Sequence, residues 1–106
     1  MAWIYLTIAG IFEIIWAFAM KQSDGFTRPA PTAITLVAMI VSFALLSLSM
    51  KSLPLGTAYT IWTGIGAVGA FLVGIFVLSE QANAMRITAA LLIVSGLVMM
   101  KLSAPA

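Results

Sequence analysis

The sequence predicts an all-α membrane protein built from four transmembrane helices, and three observations carry that expectation. Of its 106 residues, 63% are hydrophobic and only 8% are charged. The mean hydropathy is +1.18. A soluble domain of this length must leave a large share of its residues in water, and this chain has too few polar residues to cover such a surface. Finally, the apolar residues fall into four runs, each long enough to cross a ~30 Å hydrocarbon core as a helix. The breaks between the runs hold nearly all of the charge and turn chemistry.

The first helix is expected over residues 2–20. It opens on Trp3 and Tyr5, whose amphipathic rings favour the membrane–water boundary. With no positive n-region and no small-residue cleavage site, it reads as a retained helix and not as a cleaved leader. Lys21 closes it, and Gln22-Ser23-Asp24-Gly25 supplies turn residues. Pro29 and Pro31 suit a helix start, so the second helix is expected over residues 30–50.

Lys51-Ser52-Leu53-Pro54 is a very short link, from which helices two and three are expected to be antiparallel neighbours. The third helix, over residues 55–78, is rich in glycine. Gly66, Ala70 and Gly74 fall at four-residue spacing, which lets backbones approach closely in lipid. The pair Gly64 and Gly66 is the candidate site of bending or conformational change. A fourth helix is expected over residues 84–101, with Arg86 and Lys101 able to reach the two interfaces. Together these make one four-helix domain spanning residues 1–106.

The composition also excludes chemistry. There is no Cys and no His, which removes disulfides, His/Cys metal sites and most nucleophile–base catalysis. The formal charge of +2 comes from singly scattered basic residues, so no basic patch points to nucleic acid. Four spans put both chain ends on one side. Lys51 and Lys101 then lie with the terminal amine, and Lys21, Arg28 and Arg86 lie opposite. A near tie of this kind gives no preferred orientation. Copies inserted in both directions could therefore pair.

Glu13 is the one ionisable side chain inside the first apolar run. At a rise of ~1.5 Å per residue it lies roughly 15 Å deep, near the middle of the hydrocarbon. A charge there costs on the order of 3 kcal/mol or more, which marks a functional site. On a helix Glu13 shares its face with Gly10, Trp16 and Ala17. In helix two, Thr35, Ser42 and Ser49 recur every seven residues, with Ser42 nearest the midplane and Met39 beside it. In helix three, Tyr59, Trp62, Thr63 and Gly66 share a face.

A buried indole N–H wants an acceptor, and Glu13 is the only carboxylate at comparable depth. One polar cluster is therefore expected, in which Trp62 and Ser42 donate to Glu13. The bland alternative for each group is a glutamate that only glues helices, or a serine bonded to its own backbone. A carboxylate in such a cluster takes either a proton or a cation. Indole faces favour cations, and a planar guanidinium can bond both carboxylate oxygens at once.

These residues resemble those of the small multidrug resistance (SMR) transporter family over essentially the whole chain. The likeness rests on Ala9-Gly10-Ile11-Phe12-Glu13-Ile14-Ile15-Trp16-Ala17, on Asp24-Gly25-Phe26-Thr27-Arg28, and on the run from Leu53-Pro54 through Gly56-Thr57-Ala58-Tyr59 to Trp62 and Ala70. Trp16, one turn after the acid, and Trp62-Thr63-Gly64-Ile65-Gly66-Ala67 are similar to the guanidinium-exporter subtype more than to the multidrug subtype. The resemblance implies an antiparallel, dual-topology homodimer in the bacterial inner membrane. In it two Glu13 side chains form one site for protons or substrate. Ser42, Trp62, Tyr59, Trp16, Gly10 and Met39 would line or orient that site, and Gly64 and Gly66 would serve alternating access. Helix four would make much of the dimer contact.

The function so implied is proton-coupled export of guanidinium and small guanidinylated cations. An alternative within the family is export of quaternary ammonium or aromatic cations. Outside it stand a passive channel with Glu13 as a selectivity ring and a subunit needing a different partner. An enzyme is the least favoured. No cofactor is expected, the coupling ion implied is H+, and the expected partners are a second copy, a small cation and the lipid bilayer, with no nucleic acid.

Overall fold

In the computed structural model, which describes residues 1–103, four α-helices follow one another: α1 (Ala2–Gln22), α2 (Pro29–Ser49), α3 (Leu55–Phe76) and α4 (Ala84–Ser103). No strand occurs among the described residues. Positions 104–106 of the predicted domain lie outside them. All four helices are long and apolar enough to cross a membrane.

Local chemistry sets the ends. Pro29 occupies the first turn of α2, and Arg28 before it is extended, with φ −99° and ψ 119°, as a residue preceding proline prefers. The Asn83 side chain accepts the Arg86 N–H at 2.9 Å, an N-cap that starts α4. Helix α3 stops at Phe76, two residues short of expectation, because the chain reverses there. Ser79 takes a left-handed φ of 58°, and the Leu78 N–H folds back to the Val73 carbonyl at 3.3 Å. Helix α1 runs two residues further than expected and is closed by Ser23.

That serine is fully buried and organises the whole first loop. Its hydroxyl donates to the Met20 carbonyl at 2.6 Å and accepts the Phe26 N–H at 3.1 Å. Its carbonyl accepts the N–H groups of Thr27 and Arg28 at 2.9 and 3.1 Å. Between them Asp24, Gly25 and Phe26 have φ values of 51°, 71° and 65°. Three successive left-handed residues cost on the order of 1–2 kcal/mol for each non-glycine, and the bonds converging on Ser23 offset that strain.

The helices lie in the order α2, α1, α3, α4. Helix α1 packs against both α2 and α3, α4 packs on α3 alone, and α2 and α3 touch only sparingly. The extents of 43 × 34 × 16 Å suit a single row of helices spaced about 8–10 Å apart better than a two-by-two bundle. This corrects the expected pairing of helices two and three. The short link joins their ends, but a link constrains only the ends. Beyond it the two helices diverge, and Leu6 and Ala9 of α1, both fully buried, fill the gap.

The core accordingly gathers at the linked end, around Leu6, Ala9, Leu46, Leu53, Ala58, Ile61 and Trp62. No residue of α4 is buried. Its Lys101 ammonium lies 4.4 Å from the centre of the Trp3 ring, so the start of α1 and the end of α4 share one edge of the slab.

Ser23→Ala removes both side-chain bonds that hold the left-handed turn. A loss of about 1–2 kcal/mol of stability is expected, measured as a lower midpoint in detergent unfolding followed by circular dichroism.

Candidate functional site

Two of the predicted site residues, Trp62 and Ser42, come together in one hydrogen-bond chain that reaches α1. The Trp62 Nε1–H of α3 donates to Ser42 Oγ of α2 at 2.9 Å. Ser42 Oγ in turn donates to the backbone carbonyl of Ala9 in α1 at 2.7 Å. In an α-helix that carbonyl is the acceptor for the N–H of residue 13, so the chain ends at the backbone that carries Glu13. Ser42 thereby ties together three helices that share few other polar contacts. The other hydroxyls of its stripe are also fully buried but stay local. Thr35 donates to the Pro31 carbonyl at 2.8 Å, and Ser49 to the Leu46 carbonyl at 2.7 Å.

This arrangement corrects the expectation that Trp62 and Ser42 donate to the Glu13 carboxylate. Ser42 prefers the Ala9 carbonyl because that acceptor is fixed by the helix, whereas a carboxylate on a flexible side chain is not. The Glu13 carboxylate instead lies over α3 at Gly66. A Cβ at Gly66 would collide with Glu13 Oε1, so only glycine provides the seat. Glu13 Oε1 and Trp16 Nε1 are the two buried side-chain polar atoms without a hydrogen-bond partner among the described residues. One is an acceptor and the other a donor, three residues apart on one face of α1.

The remaining predicted residues divide. Tyr59 packs its ring on Trp62 at 5.5 Å, tilted by 51°, but it is 53% exposed, and its hydroxyl makes no bond among the described residues. Met39 is half-buried on α2, one turn before Ser42. Gly10 does not open onto the acid, because a Cβ there would fall 2.6 Å from Ile65 Cγ2. Its role is to admit Ile65. Gly64 and Gly66 do not interrupt α3, which is helical throughout. They face opposite ways, Gly64 receiving Leu97 of α4 and Gly66 receiving Glu13 of α1.

Phe43 was not anticipated. It meets Trp62 edge-on with ring centres 5.6 Å apart, and with Tyr59 it fixes the indole plane that aims Nε1 at Ser42. An aromatic on an uncharged, largely apolar helix carries no signal of its own, though adjacency to Ser42 was a pointer. No cluster of three or more metal-ligating side chains occurs among the described residues.

A thin row of membrane-spanning helices, with a buried mid-helix carboxylate oxygen unpartnered among the described residues, defines a multi-pass membrane protein. Comparison with known proteins gives the family. A family model described as Small Multidrug Resistance protein matches residues 1–94, and the chain belongs to that family. The guanidinium exporter of Escherichia coli (strain K12) is 56% identical over 103 residues, covering 97% of this chain and 98% of that protein. The guanidinium exporter of Salmonella typhimurium is 54% identical over 104 residues, covering 98% and 99%. That of Citrobacter freundii is 53% identical over 103 residues, covering 97% and 98%. The protein is thus a multi-pass component of the bacterial inner membrane.

A double-mutant cycle over Ser42→Ala and Trp62→Phe, read by unfolding in detergent, is expected to give a coupling energy of about 0.6–1.7 kcal/mol. Gly66→Ala, which forces Glu13 off its seat, is expected to cost about 1–3 kcal/mol in the same assay.

Proposed function

We propose that the protein exchanges protons for guanidinium and small guanidinylated cations, exporting them as an antiparallel, dual-topology homodimer. The observation that carries this reading is the Glu13 oxygen, buried against Gly66 yet without a hydrogen-bond partner among the described residues, in a slab one helix thick. In hydrocarbon an unsatisfied polar group costs several kcal/mol, so the acid-bearing side of α1 calls for a partner surface. A second copy turned over in the membrane supplies one. The balanced distribution of Lys and Arg between the two sides supports insertion both ways. The acid lies near the midplane, where a two-fold axis in the membrane plane brings two such acids together.

Two carboxylates in one dry site hold protons or a cation, but not neither, and this is the basis of exchange. A guanidinium matches them through its planar fork of N–H donors. Trp16 offers an indole face to the cation and its unpaired N–H to a carboxylate. Ser42, Trp62, Tyr59 and Met39 form the wall that keeps α1 in register, and Gly10 lets α3 approach it. Gly64 and Gly66 allow α3 to slide against α4 on one side and α1 on the other as access alternates. The relatives named guanidinium exporters support this cargo, and the reading is of a transporter, not an enzyme.

The test is transport of labelled guanidinium by the purified protein in liposomes with an imposed pH gradient. Uphill movement is expected, falling to background in Glu13→Gln. Downhill leak alone, kept in the variant, would mean a passive pore. Movement of quaternary ammonium but not guanidinium would overturn the cargo assignment.

A further inference from the structure

We propose that a groove on the far side of α1 holds one acyl chain of an anionic phospholipid, with Arg28 binding its phosphate. The groove has a volume of about 680 Å³ and is walled by Phe18, Ile34, Val73 and Val77, with Gln22 and Arg28 at one end. It exists because α2 and α3 are joined at one end of the slab and diverge at the other, leaving α1 as a floor between them. At about 100° per residue, Ile15, Phe18 and Gln22 lie on the face of α1 opposite Glu13. The groove is therefore separate from the acid and turned toward lipid.

Its dimensions suit an acyl chain. It follows α1 from Ile14 to Gln22, about 12 Å at the helical rise, which is most of one leaflet of a ~30 Å hydrocarbon core. Its apolar end lies near mid-membrane and its basic end where α1 stops. There the Arg28 Nη1 makes only a long bond of 3.5 Å to the Gln22 carbonyl, and no carboxylate is bonded to the guanidinium among the described residues. In sequence Lys21 and Asp24 precede Arg28 with opposite charges, and Arg28 is the charged residue that lines the groove. A guanidinium fork bonds two phosphate oxygens at once. Basic residues at the ends of grooves between membrane helices are suited to anionic headgroups.

The experiment is native mass spectrometry of the purified protein with phosphatidylglycerol or phosphatidylcholine of identical chains. Retention of phosphatidylglycerol about fivefold above phosphatidylcholine is expected, the effect of one basic residue at an anionic surface. Arg28→Gln should lose that preference while keeping its unfolding midpoint, and Arg28→Lys should keep part of it. Ala30→Phe, which fills the groove beside Arg28, should lower retention of both lipids. Equal retention of phosphatidylglycerol by the wild type and Arg28→Gln would overturn the proposal. So would its complete displacement by excess inorganic phosphate, which would mean a headgroup site without a chain.

Discussion

Hydrocarbon offers no hydrogen-bond partner, and the four fully buried polar side chains, Ser23, Thr35, Ser42 and Ser49, answer that constraint within the chain. Three of them bond a carbonyl within four residues. Ser42 alone reaches another helix, and by doing so it accepts the Trp62 indole as well. The cost of an unmade bond in lipid turns this one hydroxyl into the tie between α1, α2 and α3. Against that background the unpaired atoms of Glu13 and Trp16 stand out. They sit within two turns of the tie on the same face of α1, whose backbone is bonded there while these side-chain atoms are not.

The row-like architecture follows from where small residues fall. Gly10 of α1, with Gly66 and Gly69 of α3, admits Ile65, Glu13 and Ile14 respectively, closing the α1–α3 seam. Gly64, on the opposite side of α3, admits Leu97 and closes the seam with α4. Because the two sets lie on opposite faces of α3, α1 and α4 cannot meet across their middles. The chain extends as a sheet of helices. Such a sheet leaves both faces open to whatever surrounds it, which in a membrane means lipid or another copy. The polar atoms left to satisfy lie on the acid-bearing side of α1, the side that the proposed pairing uses.

Much of this was legible in the residues. Apolar run lengths and prolines placed the four helices to within a few residues, and the depth of Glu13 singled it out as the candidate. Ser42 and Trp62 were correctly placed together, but their bond was assigned to the wrong acceptor. Sequence reports which groups need partners, whereas the choice of acceptor depends on the rigid position of the Ala9 carbonyl. The adjacency of α2 and α3 was misread because a short link fixes only two ends, while packing is decided by Leu6 wedging between them. The left-handed path through Phe26 was invisible, since its cause is the convergence of four bonds on Ser23 and not the local preference of Phe.

The proposed exchange joins two Glu13 carboxylates in one site. It is tested most directly by reconstituting wild-type and Glu13→Gln chains together in varied proportion and measuring proton-driven guanidinium uptake. If both acids are needed in a two-fold assembly, activity follows the square of the wild-type fraction, falling to about a quarter at equal mixing. A linear fall, to about half at equal mixing, would mean that each chain transports with its own carboxylate and would contradict the account.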